Sequence, residues 1–317
     1  MAPTETVSSE KQPGELQTPA MPTPDLKANS PDLTASRASS ATPSGPVLRY
    51  SAQNTFWQFM LVFVADLRRY QYALNSFVVN ALAKKYRRSV LGFTWSLLGP
   101  LLTMAVLTVV FGTLFKRDMH QYALYILSGL LPWSFMSQSI INGSQALINN
   151  ETMLRRSYLP KFFFPTVSTA SEAVSLSLNL VCLFALALAI GAQLSWCIVA
   201  LPLVIAVTYV FTLGAALIAA IATVYFRDLT HILTVLLGAC FYLVPIVYPE
   251  SMLPENIRGL VALNPFYHFI CLFRSILYLR QFPTPLEWSS ALLLAVLCLL
   301  AGLYLVKLRQ NDIIFRL

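Results

Sequence analysis

The stretch KKYRRSVLGFTWSLLGPLLTMAVLTVVFGTLF, residues 84–115, decides the class of fold. Four cations, Lys84, Lys85, Arg87 and Arg88, stand directly before 27 uncharged residues, Ser89 to Phe115. A helix needs about 20 apolar residues to cross the hydrocarbon core of a bilayer, so this run is long enough. Cations beside a span favour the cytoplasmic side, so the same stretch also sets the direction of crossing.

The rest of the 317 residues agrees. Hydrophobic residues make up 56% and charged residues 11%, about half the charged share of a soluble domain. A soluble chain of this length has no place to hide that apolar surface. The net charge of +8 is not a nucleic-acid signature, because the cations cluster beside the apolar segments. The five cysteines, Cys182, Cys197, Cys240, Cys271 and Cys298, are widely spaced, with no CxxC and no metal-ligand pattern, and read as small packing residues.

Six spans are expected, at about 90–115, 121–145, 167–190, 197–224, 230–248 and 288–306. Phe162 to Phe226 carries a single charge, Glu172, and is too long for one helix. Gly191 to Ser195 is the natural break. Segments assigned to the inside carry Lys84, Lys85, Arg87, Arg88, Arg155, Arg156, Lys161, Arg227, Lys307, Arg309 and Arg316. The short outside loops carry only Lys116 and Arg117. Both termini are therefore expected in the cytoplasm.

Three segments do not fit the pattern of spans. Residues 1–50 hold eight of the 19 prolines, many Ser and Thr, and almost no large apolar residues, which reads as a disordered cytoplasmic tail without a secretory signal. Residues 55–83 begin with an apolar run too short to cross. An amphipathic interface helix is expected there, with Phe56, Trp57, Met60, Leu61 and Val64 toward lipid, or a helix packed on the bundle. The segment 249–287 is broken by Pro265 and Arg274 and reads as two short helices dipping in from the outside, with a seventh span as the competing reading.

Catalytic constellations are absent from the sequence. There is no Gly-Lys pair and hence no phosphate-cradling Walker A loop. His120, His231 and His268 lie far apart, and neither HExxH nor GxSxG occurs. Glu172 is the only acid within a span and sits near its cytoplasmic end, so an ion relay has little support. The cytoplasmic segment NNETMLRRSYLPKFFFP, 149–165, is the best working part. Asn149, Asn150 and Glu151 suit the start of a short helix, with Arg155 and Arg156 one turn on. Such a helix is either a lever for a soluble partner or a loop held by headgroups. Trp95, Tyr125, Trp133, Phe135, Tyr242 and Tyr248 are candidates for stacking on sugar rings, against membrane-belt or packing roles.

Four motifs in order, RRSVLGFTWSLLGPLL at 87–102, the 149–165 segment, YFRDL at 225–229 and LNPFYHFI at 263–270, resemble the membrane subunits of type-2 ABC exporters for surface polysaccharides: O-antigen, teichoic acid and capsule. The resemblance covers about residues 55–317. It implies an all-α bundle of six transmembrane helices in a bacterial inner membrane, with an N-terminal interface helix and short periplasmic gate helices before the last span. It implies a homodimer with two separate ATPase subunits that hold ATP and Mg, so that this chain carries no cofactor or metal and is not itself an enzyme. The ATPase contacts would be Asn150, Glu151, Arg155 and Arg156, with Arg227 and Asp228 as a second contact. Leu91 and Gly92 would lie at the channel entrance, with Lys84, Lys85, Arg87 and Arg88 as candidates for the linker pyrophosphate of a lipid-linked polysaccharide. The alternatives are an ABC-2 permease for a small molecule or drug, and a polytopic membrane transferase.

Overall fold

The computed structural model describes residues 56–87, 92, 94–116, 118–157, 159–189, 191 and 195–316. The expected tail, 1–50, lies outside the described residues. All regular structure among them is helical. In chain order the helices are α1 Phe56–Arg69, α2 Gln71–Tyr86, α3 Thr94–Leu114, α4 Met119–Asn149, α5 Glu151–Arg156, α6 Phe163–Ala189, α7 Leu201–Tyr225, α8 Leu229–Leu243, α9 Glu255–Ala262, α10 Pro265–Leu277 and α11 Pro285–Arg316.

Five of these, α3, α4, α6, α7 and α11, are long and apolar enough to cross a membrane. The expected fifth span, 230–248, is different. Helix α8 has 15 residues, about 22 Å at 1.5 Å per residue, which is short of a core about 30 Å thick. Residues 244–248 leave the helix, yet Val244, Ile246 and Val247 are buried. Non-helical backbone in such a place must have its carbonyls satisfied by protein. They are. Tyr122 donates to Val247 O, Tyr125 to Tyr248 O at 2.8 Å, and Arg274 to Pro245 O at 2.8 Å. The Arg274 guanidinium also lies 4.1 Å from the centre of the Tyr125 ring. Tyr125→Phe is expected to cost about 1–3 kcal/mol, the penalty of an orphaned buried acceptor. Tyr248→Phe should cost less, because its bond to Tyr242 O is exposed. Thermal melts of the detergent-solubilised protein check both.

Helix ends follow local chemistry. Asp118 caps α4 by accepting from His120 N, and Asn264 caps α10 by accepting from Phe266 N with Pro265 in the first turn. Thr284 and Glu287 form a reciprocal capping box on α11. Gly191, after α6, adopts φ +78°, a conformation that favours glycine. It falls at the expected break between spans.

Helices α4 and α7 are the central pair, and α3 and α11 have more surface outside the protein. Small residues allow the closest contacts. A Cβ on Gly214 would stand 2.4 Å from the Cys298 carbonyl carbon, and one on Gly302 would stand 2.7 Å from Gly214 O, so α7 and α11 touch backbone to backbone. Where residues 55–83 were expected to form one helix, two appear, and one side of them packs on the bundle. Trp57 and Leu61 are exposed, whereas Phe59 and Phe63 are buried. Phe63 meets Phe162 edge-on at 4.7 Å, and Phe77 meets Phe163 at 5.4 Å. The Phe162-Phe163-Phe164 run is thus the seat of α1 and α2.

Candidate functional site

Two polar stripes face one cavity. On α4, Ser134, Gln138, Asn142, Gln145 and Asn149 recur at steps of four, four, three and four, which places them on one helix face. On α6, Ser168, Ser171, Ser175 and Asn179 do the same. These residues line a cavity of about 1080 Å³, closed on other sides by Asn80, Lys84 and Lys85 of α2 and by Trp95, Gly99, Pro100 and Thr103 of α3. The volume is at the upper end of the range for small-molecule sites. From Leu130 to Asn150 the lining runs along α4 for about 30 Å, close to the full thickness of a membrane core.

The wall is held mainly by neutral groups. Ser171 and Ser175 donate to carbonyls of their own helix, at 2.8 and 3.1 Å, so their oxygens can still accept. Asn179 Oδ1 is buried without a hydrogen-bond partner. One ion pair interrupts the pattern. Lys85 Nζ donates to both Glu172 oxygens, at 3.0 and 3.1 Å, and Asn142 Nδ2 donates to Glu172 Oε1 at 3.0 Å. Three helices thereby converge on a single carboxylate.

The pair is asymmetric, because the Lys85 side chain is 43% exposed and the Glu172 side chain 9%. Removing the lysine leaves a buried carboxylate with one amide partner, whereas removing the acid leaves an ammonium that reaches water. Lys85→Ala is therefore expected to destabilise by about 2 kcal/mol, below the cost of breaking a fully buried pair. Glu172→Gln should cost about half of that, since the amide retains a hydrogen-bonding role. Equal melting shifts for the two variants would contradict this asymmetry.

Several of the sequence-derived candidates meet here. Lys84, Lys85, Gly92, Trp95, Phe135 and Asn150 line the cavity. Gly92 takes φ +50°, which fits a glycine turn before α3. Leu91 and Arg88 lie outside the described residues, and Arg87 is exposed just after α2.

The remaining aromatic candidates stand elsewhere. Tyr125 and Trp133 are buried, and their rings are covered by protein: Tyr122 and Arg274 on the first, Phe241 and Phe266 on the second. Neither lines the cavity. Tyr242 is 72% exposed, and Tyr248 is tied to it through Tyr242 O. The signal missed in the sequence was the polar stripe, whose spacing is plain once the helices are drawn.

The charged segments lie apart from the cavity's deep end. Helix α5 has six residues, too few to be stable alone, and its buried Leu154 fastens it. Arg155 Nε bonds Glu151 Oε1 at 2.8 Å. Asn150 does not cap α5 as expected. Its side chain instead donates back to Ala146 O, closing the end of α4. Arg227 and Asp228 form an exposed turn between α7 and α8. Just beyond that turn, Thr230 bonds Ser144 of α4 at 3.1 Å, near the end of α4 from which α5 continues. The ends of α4 and α7 thus place both charged turns at one end of the bundle. Between α5 and α6, Lys161 is partly buried, and that burial lowers its pKa from the ordinary lysine value.

Comparison with known proteins agrees with this architecture. The model of the ABC-2 type transporter family matches residues 72–278. The chain is 30% identical over 255 residues to the O-antigen export system permease protein RfbA of Myxococcus xanthus, covering 80% of this chain and 98% of that relative. It is 25% identical over 194 residues to the protein of the same name from Klebsiella pneumoniae, covering 61% of this chain and 74% of that relative.

Proposed function

The chain belongs to the ABC-2 type transporter family, and from that premise we propose that it is the transmembrane subunit of an ATP-driven exporter of a lipid-linked polysaccharide. The observation that carries this reading is the polar cavity along α4 and α6. A glycan brings many hydroxyls to be desolvated, and amide and hydroxyl walls replace their water. Trp95, 54% exposed at the cavity wall, offers apolar ring surface for the C–H faces of sugars, and exposed Tyr242 is a further stacking candidate.

In this reading two copies of the chain form the channel, and two separate ATPase subunits bind ATP and Mg. The ATPases seat on α5 and on the Arg227–Asp228 turn, the charged features at one end of the bundle. Their closure pushes α5. Leu154 transmits the push to the core, and α4 follows because α5 continues from its last residue. The glycan enters beside Gly92, and the Lys84 and Lys85 ammonium groups at the cavity wall meet the linker phosphates. Lys85 must then exchange Glu172 for phosphate.

The membrane is a bacterial inner membrane, with both termini in the cytoplasm. The fifth crossing in chain order is completed by α8 together with 244–248, and α9 and α10 are short helices on the far side.

The test is deletion of this chain in its native cell, followed by analysis of surface and intracellular glycan. The expected result is loss of a long surface polysaccharide, its lipid-linked form accumulating inside, and recovery on complementation. An unchanged surface glycan would overturn the proposal.

A further inference from the structure

The cavity wall has a charge pattern that glycan export alone does not require. We infer that the cargo has an uncharged repeating unit, built of neutral sugars, an inference that rests on the polysaccharide-export reading above. The wall is amide-rich: Gln138, Asn142 and Gln145 on α4 face Asn179 and the serines of α6. An amide offers two donors and an acceptor oxygen, and a hydroxyl can donate or accept, so sugar hydroxyls find partners in either sense. The unpartnered Asn179 Oδ1 is an acceptor of the kind that a hydroxyl satisfies.

Anionic sugars meet the opposite situation. Among the described residues of the wall, the cations are Lys84 and Lys85, both near the end of α2. Lys85 is already engaged by Glu172 at 3.0 Å. Beyond that pair, toward Leu130 and Asn179, the described lining carries no cation at all. A uronate or phosphate in each repeat would shed water there without a counter-charge. Burial of an unpaired anion is costly. A neutral chain avoids that penalty. Linker phosphates differ in kind, because they occur once per molecule and need a cation only at the mouth.

The experiment compares the surface glycan of native cells with that of cells lacking the chain. Monosaccharide and phosphate analysis of the missing polymer is the readout. Neutral sugars alone in its repeat are the expected result. Uronic acid, sialic acid or phosphate in the repeat overturns the inference while leaving the export reading standing. If no polymer is missing, the export reading fails and this inference fails with it.

Discussion

Glu151→Arg is expected to strip the ATPase from the purified complex, with at least about tenfold less ATPase retained, equivalent to 1.4 kcal/mol of binding. Helix α5 is only six residues long, and its internal pair, Arg155 to Glu151 at 2.8 Å, contributes about 0.3–0.5 kcal/mol as an exposed i,i+4 contact. Loss of that pair alone cannot melt a helix fastened by buried Leu154. The effect of charge reversal therefore falls on whatever docks against the exposed face, which also carries Met153 and Arg156. The double exchange Glu151→Arg with Arg155→Glu separates the two roles. It restores the internal pair while keeping the surface charges reversed, so it should fail to retain the ATPase as the single variant does. Retention by the double exchange would confine both residues to holding the helix.

Gly214→Ala is expected to cost about 3 kcal/mol, the upper end of overpacking penalties. Its new methyl would lie 2.4 Å from the Cys298 carbonyl carbon and 2.5 Å from Leu299 N. Both are backbone atoms, so no rotamer change relieves the clash, and α7 and α11 must separate along their contact. Gly238→Ala is the matched control. Nothing lies within 4 Å of a Cβ there, and an alanine in a helix interior gains about 0.5–1 kcal/mol over glycine. Intrinsic-fluorescence melts in detergent should show the first variant clearly destabilised and the second equal to or above the original. Similar melts for the two would mean that α7 and α11 do not meet as closely as described.

Much of this architecture was legible because it depends on length and composition. The spans at 90–115 and 121–145 emerge as α3 and α4 with ends shifted by a few residues, and the glycine break between the next two spans falls at Gly191. Hydropathy did not show that the helix within 230–248 stops at Leu243. It counts apolar side chains, and Val244, Ile246 and Val247 are as apolar outside a helix as inside one. What ends α8 there is a tertiary arrangement, in which hydroxyls and a guanidinium from α4 and α10 satisfy the freed carbonyls.

The site was legible only in pieces. Lys84, Lys85 and Gly92 stood out beside the first span, whereas Gln138, Asn142 and Gln145 were hidden by the apolar average of α4. The pairing of Lys85 with Glu172, 87 residues away, has no local signature. The burial of Tyr125 and Trp133 had no signal for a related reason: an aromatic residue has the same letter in a core as in a channel wall.

The central claim is that this chain works as the membrane half of an ATP-driven exporter. Its most direct test is affinity purification from native membranes in mild detergent, followed by mass spectrometry of the proteins retained. The account predicts a stoichiometric partner bearing a Walker A loop, lost with Glu151→Arg and retained with Gly238→Ala. A chain that purifies folded and intact without such an ATPase would contradict it.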